Sequence, residues 1–132
     1  MTTDLNRLLL DVTELAREAG RTILEVYASS FTVAEKEDRS PLTEADLRSE
    51  KLILAGLKRL SPEIPVLSEE TGQVPWSKRR DWSRLWVVDP LDGTKEFVQR
   101  NGEFTVNIAL VDHHRAVLGV VHAPVLECTY YA

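Results

Sequence analysis

Apolar residues in this chain recur with one period before residue 61 and another after residue 84. Leu5, Leu8, Leu9, Val12, Leu15, Ala16, Ala19, Ile23 and Val26 step by three and four, which draws one apolar stripe along an α-helix. The spacing predicts a helix over residues 4–28, with Asp4 placed to cap it. Gly20 either weakens its middle or admits a close neighbour. A second helix is predicted from Thr43 to Leu60: Thr43 suits the N-cap, Asp46 stands at the third helical position as in a capping box, and Ser61-Pro62 stops it. Beyond Arg84 the period becomes two. "RLWVVD" reads as a buried strand, "FTVNIALV" and "AVLGVVHA" as a hairpin joined by "DHHR", and "ECTYYA" as the start of another strand.

Between the helices, "FTVAEKED" reads as a short edge strand and a charged turn. "PVLSEETG" reads as a short strand running into two acids, and residues 71–84 as a solvated connection. Two amphipathic helices followed by alternating strands set the class. It is α+β, with two N-terminal helices packed on one face of a mainly antiparallel sheet. The sequence stops inside its last predicted strand, where a sheet edge would stand open. Residues 1–132 are therefore expected to form one domain, the front part of a longer protein or of a two-part fold, incomplete at the C-terminus.

Composition narrows the function classes. The chain is 43% hydrophobic with a net charge of -5, so bulk charge does not favour a nucleic acid polymer. A negative protein still accepts an anion if it first gathers divalent cations. Cys128 is the single cysteine and has no internal partner for a disulfide. The first twenty residues carry charge every few positions, which excludes a signal peptide or membrane span there. A reducing cytoplasm is the default location.

The chemistry concentrates in "WVVDPLDGTKEF", residues 86–97. An apolar run ends at Asp89, turns through Pro90, presents Asp92 three residues on, and continues into Gly93-Thr94. Glu69 and Glu70 end another apolar run. Mg²⁺ takes oxygen ligands and keeps several waters, and a pair of such ions needs a bridging carboxylate with flanking ones. Asp89 is the natural bridge, Glu69 and Asp92 the flanks, and a tight turn at Pro90 would expose the Leu91 carbonyl as a further ligand. Three carboxylates offset by two Mg²⁺ leave the site slightly positive, suited to phosphate. Gly93 and Thr94 open a short helical turn whose amides suit phosphate oxygens. Taken singly, each residue has a plainer reading: Asp89 and Asp92 as turn acids, Glu69-Glu70 as a solvated loop, Asp46 and Thr94 as helix caps. Their combination exceeds what capping requires.

"DPLDGT" after an apolar strand, "SEE" about twenty residues upstream and "SPLTEAD" before that resemble the lithium-sensitive, Mg²⁺-dependent phosphomonoesterase superfamily, which includes inositol monophosphatases, fructose bisphosphatases and bisphosphate nucleotidases. The longer run "DPLDGTKEFVQRNGEFTVNIALV" is similar to the bacterial 3'(2'),5'-bisphosphate nucleotidase branch; inositol monophosphatases usually carry Asn where this chain has Lys95-Glu96. The resemblance covers essentially the whole chain. It implies a layered, sugar-phosphatase-like fold and two or three Mg²⁺ ions. Glu69, Asp89 and the Leu91 carbonyl would hold the first, and Asp89 and Asp92 the second. It further implies that Gly93 and Thr94 bind the scissile phosphate, beside Glu69, Leu91 and Asp92. Asp46 and Thr94 would form the catalytic pair, the carboxylate orienting the hydroxyl that helps deprotonate the attacking water. Family members are longer, and a Trp-Asp motif in their later part completes the second metal site. The implied reaction is hydrolysis of adenosine 3',5'-bisphosphate and related 3'-phosphonucleotides to AMP and phosphate, which clears a by-product of sulfate assimilation. The alternatives are an inositol monophosphatase and, in another class, a non-catalytic metal-binding or interaction module.

The remaining polar residues have plainer expectations. His113 and His114 fall in a hairpin turn facing solvent, and His122 alternates with core positions as a structural residue. Trp76, Trp82 and Trp86 read as packing anchors rather than base-stacking platforms. Lys78, Arg79 and Arg80 read as a solvated face, with substrate or peripheral contact to the cytoplasmic face of the inner membrane as the minor reading. Lys95 and Arg100 follow the phosphate turn and are candidates to touch an anion. The expected partner is a small nucleotide, and oligomeric state is not readable from the sequence.

Overall fold

A computed structural model describes residues 4–36, 41–70 and 74–132. The long first helix, α1 (Leu5–Tyr27), starts where predicted, because Asp4 accepts from the amides of Asn6 and Arg7 and satisfies donors the helix itself cannot. Two short strands, β1 (Ala34–Glu35) and β2 (Pro41–Leu42), pair antiparallel. Ser40, and the Glu37-Asp38 end of the predicted charged turn, lie outside the described residues. Helix α2 (Glu44–Leu60) begins at the expected cap, Thr43, and ends at Ser61, whose amide donates to the Leu57 carbonyl.

A single five-stranded sheet follows. It contains β3 (Val66–Ser68), β4 (Arg84–Asp92), β5 (Thr105–Asp112), β6 (Arg115–Ala123) and β7 (Cys128–Tyr131), adjacent in chain order. All neighbours are antiparallel except β3 and β4, which run parallel. Parallel neighbours need a long return path rather than a hairpin. That path contains a short helix, α3 (Trp76–Arg79), where the sequence suggested only a solvated connection. Its first residues, 71–73, lie outside the described set. A last short helix, α4 (Thr94–Val98), links β4 to β5.

The period-two pattern explains how the layers meet. Trp86 and Val88 on β4, Val106, Ile108 and Leu110 on β5, and Leu118 and Val120 on β6 all point into the core. They pack against Val12, Leu15, Ala16, Ala19 and Ile23 of α1 and Ile53 and Leu57 of α2. Burying a side chain of this size contributes on the order of 2 kcal/mol. Both helices lie on one face, as the sequence predicted, while Val87, Val117 and Val121 stand exposed on the sheet.

Trp86 is fully buried and donates from Nε1 to the Ser61 hydroxyl at 2.8 Å. His122 is also buried, with Nδ1 2.8 Å from the Thr129 hydroxyl, and its ring lies directly over Gly20. A Cβ at Gly20 would come within 2.7 Å of the His122 ring, so Gly20 admits a close neighbour. The hairpin turn falls on His113 and His114 at φ 47° and 67°, and the His113 side chain is 79% exposed.

One local expectation changes. The predicted tight turn at Pro90 is a bulge inside β4, which continues to Asp92 while its register with β5 slips between Asp89 and Asp92. Proline has no N–H for the ladder, so within a strand it belongs at such a break.

Candidate metal centre

The parallel pairing of β3 and β4 brings the acids together. Ser68 lies opposite Val88 and the Glu69 amide donates to the Val88 carbonyl at 3.0 Å, so Glu69 leaves β3 beside Asp89. Past the bulge, β4 continues through Leu91 to Asp92 at the same end of the sheet. Glu69, Asp89, Leu91, Asp92, Gly93 and Thr94 all line one open cleft of about 270 Å³. Asp92 is steadied by the Asn107 side-chain amide at 3.0 Å, and Asp89 accepts the Leu91 amide at 3.3 Å.

Burial pushes the Asp89 carboxyl up to about 6, and the charges of Asp92 and Glu69 push the same way. The Leu91 amide opposes this without cancelling it. Three like charges share a partly dry space, which is an environment that a cation relieves. The donors are hard oxygens, the set Mg²⁺ takes. Among the described residues no three His, Cys, Asp or Glu side chains converge closely enough to hold an ion by themselves. The cleft is open, so a cation held there would keep positions for water.

Asp46 is fully buried and uses both oxygens. Oδ2 accepts the Thr43 amide at 2.9 Å and the Thr43 hydroxyl at 2.7 Å, while Oδ1 accepts the Thr94 hydroxyl at 2.9 Å. The capping reading and the pairing with Thr94 are both realised, by different oxygens of one carboxylate. Thr94 opens α4 directly after Gly93, whose φ of 94° is unfavourable for a side chain. A Cβ there would lie 2.8 Å from the Glu103 carbonyl oxygen. Phe97 holds α4 in place through rings of Tyr27, Phe31 and Phe104, with centroids 4.8 to 5.2 Å away.

Four contributors went unread in the sequence. The Ser49 hydroxyl donates to the Pro90 carbonyl at 2.7 Å, and the Ser68 hydroxyl to Glu50 Oε2 at 3.0 Å. Lys36 forms a 2.7 Å ion pair with Glu70, whose side chain is 3% exposed. Glu70 thus faces Lys36 rather than forming a solvated loop. Asp46, Ser49 and Glu50 share one face of α2, a three-and-four spacing of polar residues that was available as a signal. Nothing local marks Lys36, which meets Glu70 across 34 positions of chain. Arg100 does not reach for an anion: its guanidinium donates to the Tyr27 and Ser29 carbonyls and lies 4.6 Å over the Phe31 ring. Lys95 lines the cleft.

Helices on one face of a mainly antiparallel sheet, with carboxylates gathered just past the stretch where two strands pair in parallel, define a layered α+β fold of the sugar-phosphatase type. The model of the Inositol monophosphatase family matches residues 4–132, and the chain belongs to that family. It is 55% identical over 127 residues to the 3'(2'),5'-bisphosphate nucleotidase CysQ of Salmonella typhimurium, covering 95% of this chain and 51% of that protein. The crystal structure of CysQ from Bacteroides thetaiotaomicron is 46% identical with a TM-score of 0.80, over 96% of this chain and 45% of that one. A Thermotoga maritima IMPase is 30% identical with a TM-score of 0.83, over 96% and 48%. The chain spans about half the length of the curated relatives it matches. No described helix is long and apolar enough to cross a membrane.

Proposed function

We propose that the chain carries the metal-binding and water-activating part of a Mg²⁺-dependent phosphomonoesterase that converts adenosine 3',5'-bisphosphate, and related 3'-phosphonucleotides, to AMP and phosphate. The observation that carries this reading is the gathering of Glu69, Asp89, Asp92 and Thr94 around one cleft, with Asp46 hydrogen-bonded to Thr94 from behind. Glu69, Asp89, Asp92 and the Leu91 carbonyl are the groups that would hold the ions. When bound, Mg²⁺ supplies Lewis acidity and neutralises charge on the phosphoryl oxygens.

The chain's own residues do the rest. Asp46 Oδ1 takes the Thr94 hydroxyl proton in a hydrogen bond, which leaves the Thr94 oxygen able to accept one from the attacking water. Thr43 keeps the other Asp46 oxygen occupied, so the carboxylate cannot rotate away. The Gly93 and Thr94 amides, at the opening of α4, hold a phosphate oxygen. Water adds to phosphorus, the ester oxygen leaves with a proton, and no residue is covalently modified.

Nucleotide rather than inositol phosphate is favoured by the identity to the named nucleotidases and by Lys95-Glu96 ahead of Phe97. Phosphate release from adenosine 3',5'-bisphosphate and from inositol 1-phosphate, each with and without Mg²⁺, separates the two. Release from neither, at any Mg²⁺ concentration, supports a non-catalytic module.

A further inference from the structure

One turn of α2 touches three segments that border the cleft. Asp46 reaches Thr94, Ser49 reaches the Pro90 carbonyl, and Glu50 reaches the end of β3. The first of these contacts belongs to the proposed proton path and the second pins the bulge. Glu50 is left with no part in the reaction, yet its carboxylate is half-buried and engaged. It accepts the Ser68 hydroxyl at 3.0 Å, and Lys36 lies close enough to favour its charge.

Ser68 and Glu70 flank Glu69. Glu69 itself is exposed, and among the described residues no side chain donates to its carboxylate. Its direction is therefore set by the backbone on either side of it. One side is anchored by the Glu69 amide on Val88 and the Ser68 hydroxyl on Glu50, and the other by the Glu70 carboxylate on Lys36. We propose that Glu50 is a positioning residue for Glu69: gripping the Ser68 side chain at the end of β3, it aims the adjoining carboxylate into the cleft and so sets divalent-cation affinity. This rests on the reading of Glu69, Asp89 and Asp92 as metal ligands. Partners one shell removed from a ligand commonly change metal affinity by about tenfold or more.

The test is Mn²⁺ binding to the full chain, followed by paramagnetic resonance of the free ion, alongside metal-free melting temperature. Glu50→Ala is expected to weaken Mn²⁺ binding by about tenfold. Glu50→Gln keeps an acceptor for the Ser68 hydroxyl and should restore binding to within about threefold of wild type. Ser68→Ala gives an intermediate loss and serves where Glu50→Ala does not fold. Ile53→Val, buried one turn further along α2, should lower the melting temperature without moving Mn²⁺ affinity. If Glu50→Ala and Ser68→Ala bind Mn²⁺ like wild type, the positioning role is overturned and the metal centre stands. Affinity that falls equally in Ile53→Val also overturns it, because loss of stability then explains the effect. Absence of Mn²⁺ binding in the wild type overturns the metal centre and the positioning role together.

Discussion

The Thr94 hydroxyl and the Asp46 carboxylate meet at 2.9 Å across 48 positions of chain, with Asp46 clamped from the other side by Thr43. The arrangement ties the start of one helix to the start of another. Thr94→Ala removes the group that accepts the water proton and leaves the carboxylate shelf in place. Phosphate release should fall at least ~100-fold, the usual scale for losing a positioned general base. Mn²⁺ affinity of the same variant should stay within about threefold of wild type. A large loss of affinity with turnover preserved would contradict the assignment.

Asp89→Asn acts on the shelf itself. In the metal-free chain the Asp89 carboxyl titrates near 6 against an ordinary 3.8, so folding favours its protonated form. The penalty is absent at low pH, grows as pH rises through this range, and is complete above it. In EDTA the variant should therefore melt higher than wild type at neutral pH and alike near pH ~4. Saturating Mg²⁺ should raise the melting temperature of wild type and leave the variant unmoved.

His122 gives the opposite slope. Burial, then the charges of Arg17 and Arg21, hold its pKa below the ordinary 6.5. Its contribution is present in full above that value and is lost as pH falls through it, because the unfolded chain takes up the proton first. Urea unfolding at a series of pH values should show this loss in wild type and not in His122→Gln. Gly20→Ala forces a methyl to 2.7 Å from the same ring and should cost about 1–3 kcal/mol at any pH.

Phe97 is fully buried among three other rings and is the hydrophobic anchor of α4. Phe97→Ala should destabilise the chain by about 3–5 kcal/mol in chemical denaturation. Phe97→Leu refills part of the space and should cost roughly half as much. If Phe97→Ala stays within experimental error of wild type, the ring cluster does not hold α4.

Much of this was legible from local pattern. The stripe from Leu5 to Val26, the capping box at Thr43 and the alternation after Arg84 all declare themselves within a few residues, and the structure follows them. The acids at 69, 89 and 92 were legible as a set because each ends or interrupts a strand. What stayed hidden depends on distance along the chain. Lys36 meets Glu70, and Ser49 meets Pro90, only after the layers have packed. Pro90 itself read as a turn because a bulge and a turn begin with the same residues. The choice between them is made by β5, which continues to pair on both sides of the interruption.

The parallel pairing of β3 with β4 has a consequence for engineering. The connection between β3 and β4 brings the chain back to the starting end, and the alignment of Ser68 with Val88 is made by the strands themselves. A fluorescent reporter or affinity handle grafted beside Trp76, which is exposed, would sit outside the paired residues of both strands.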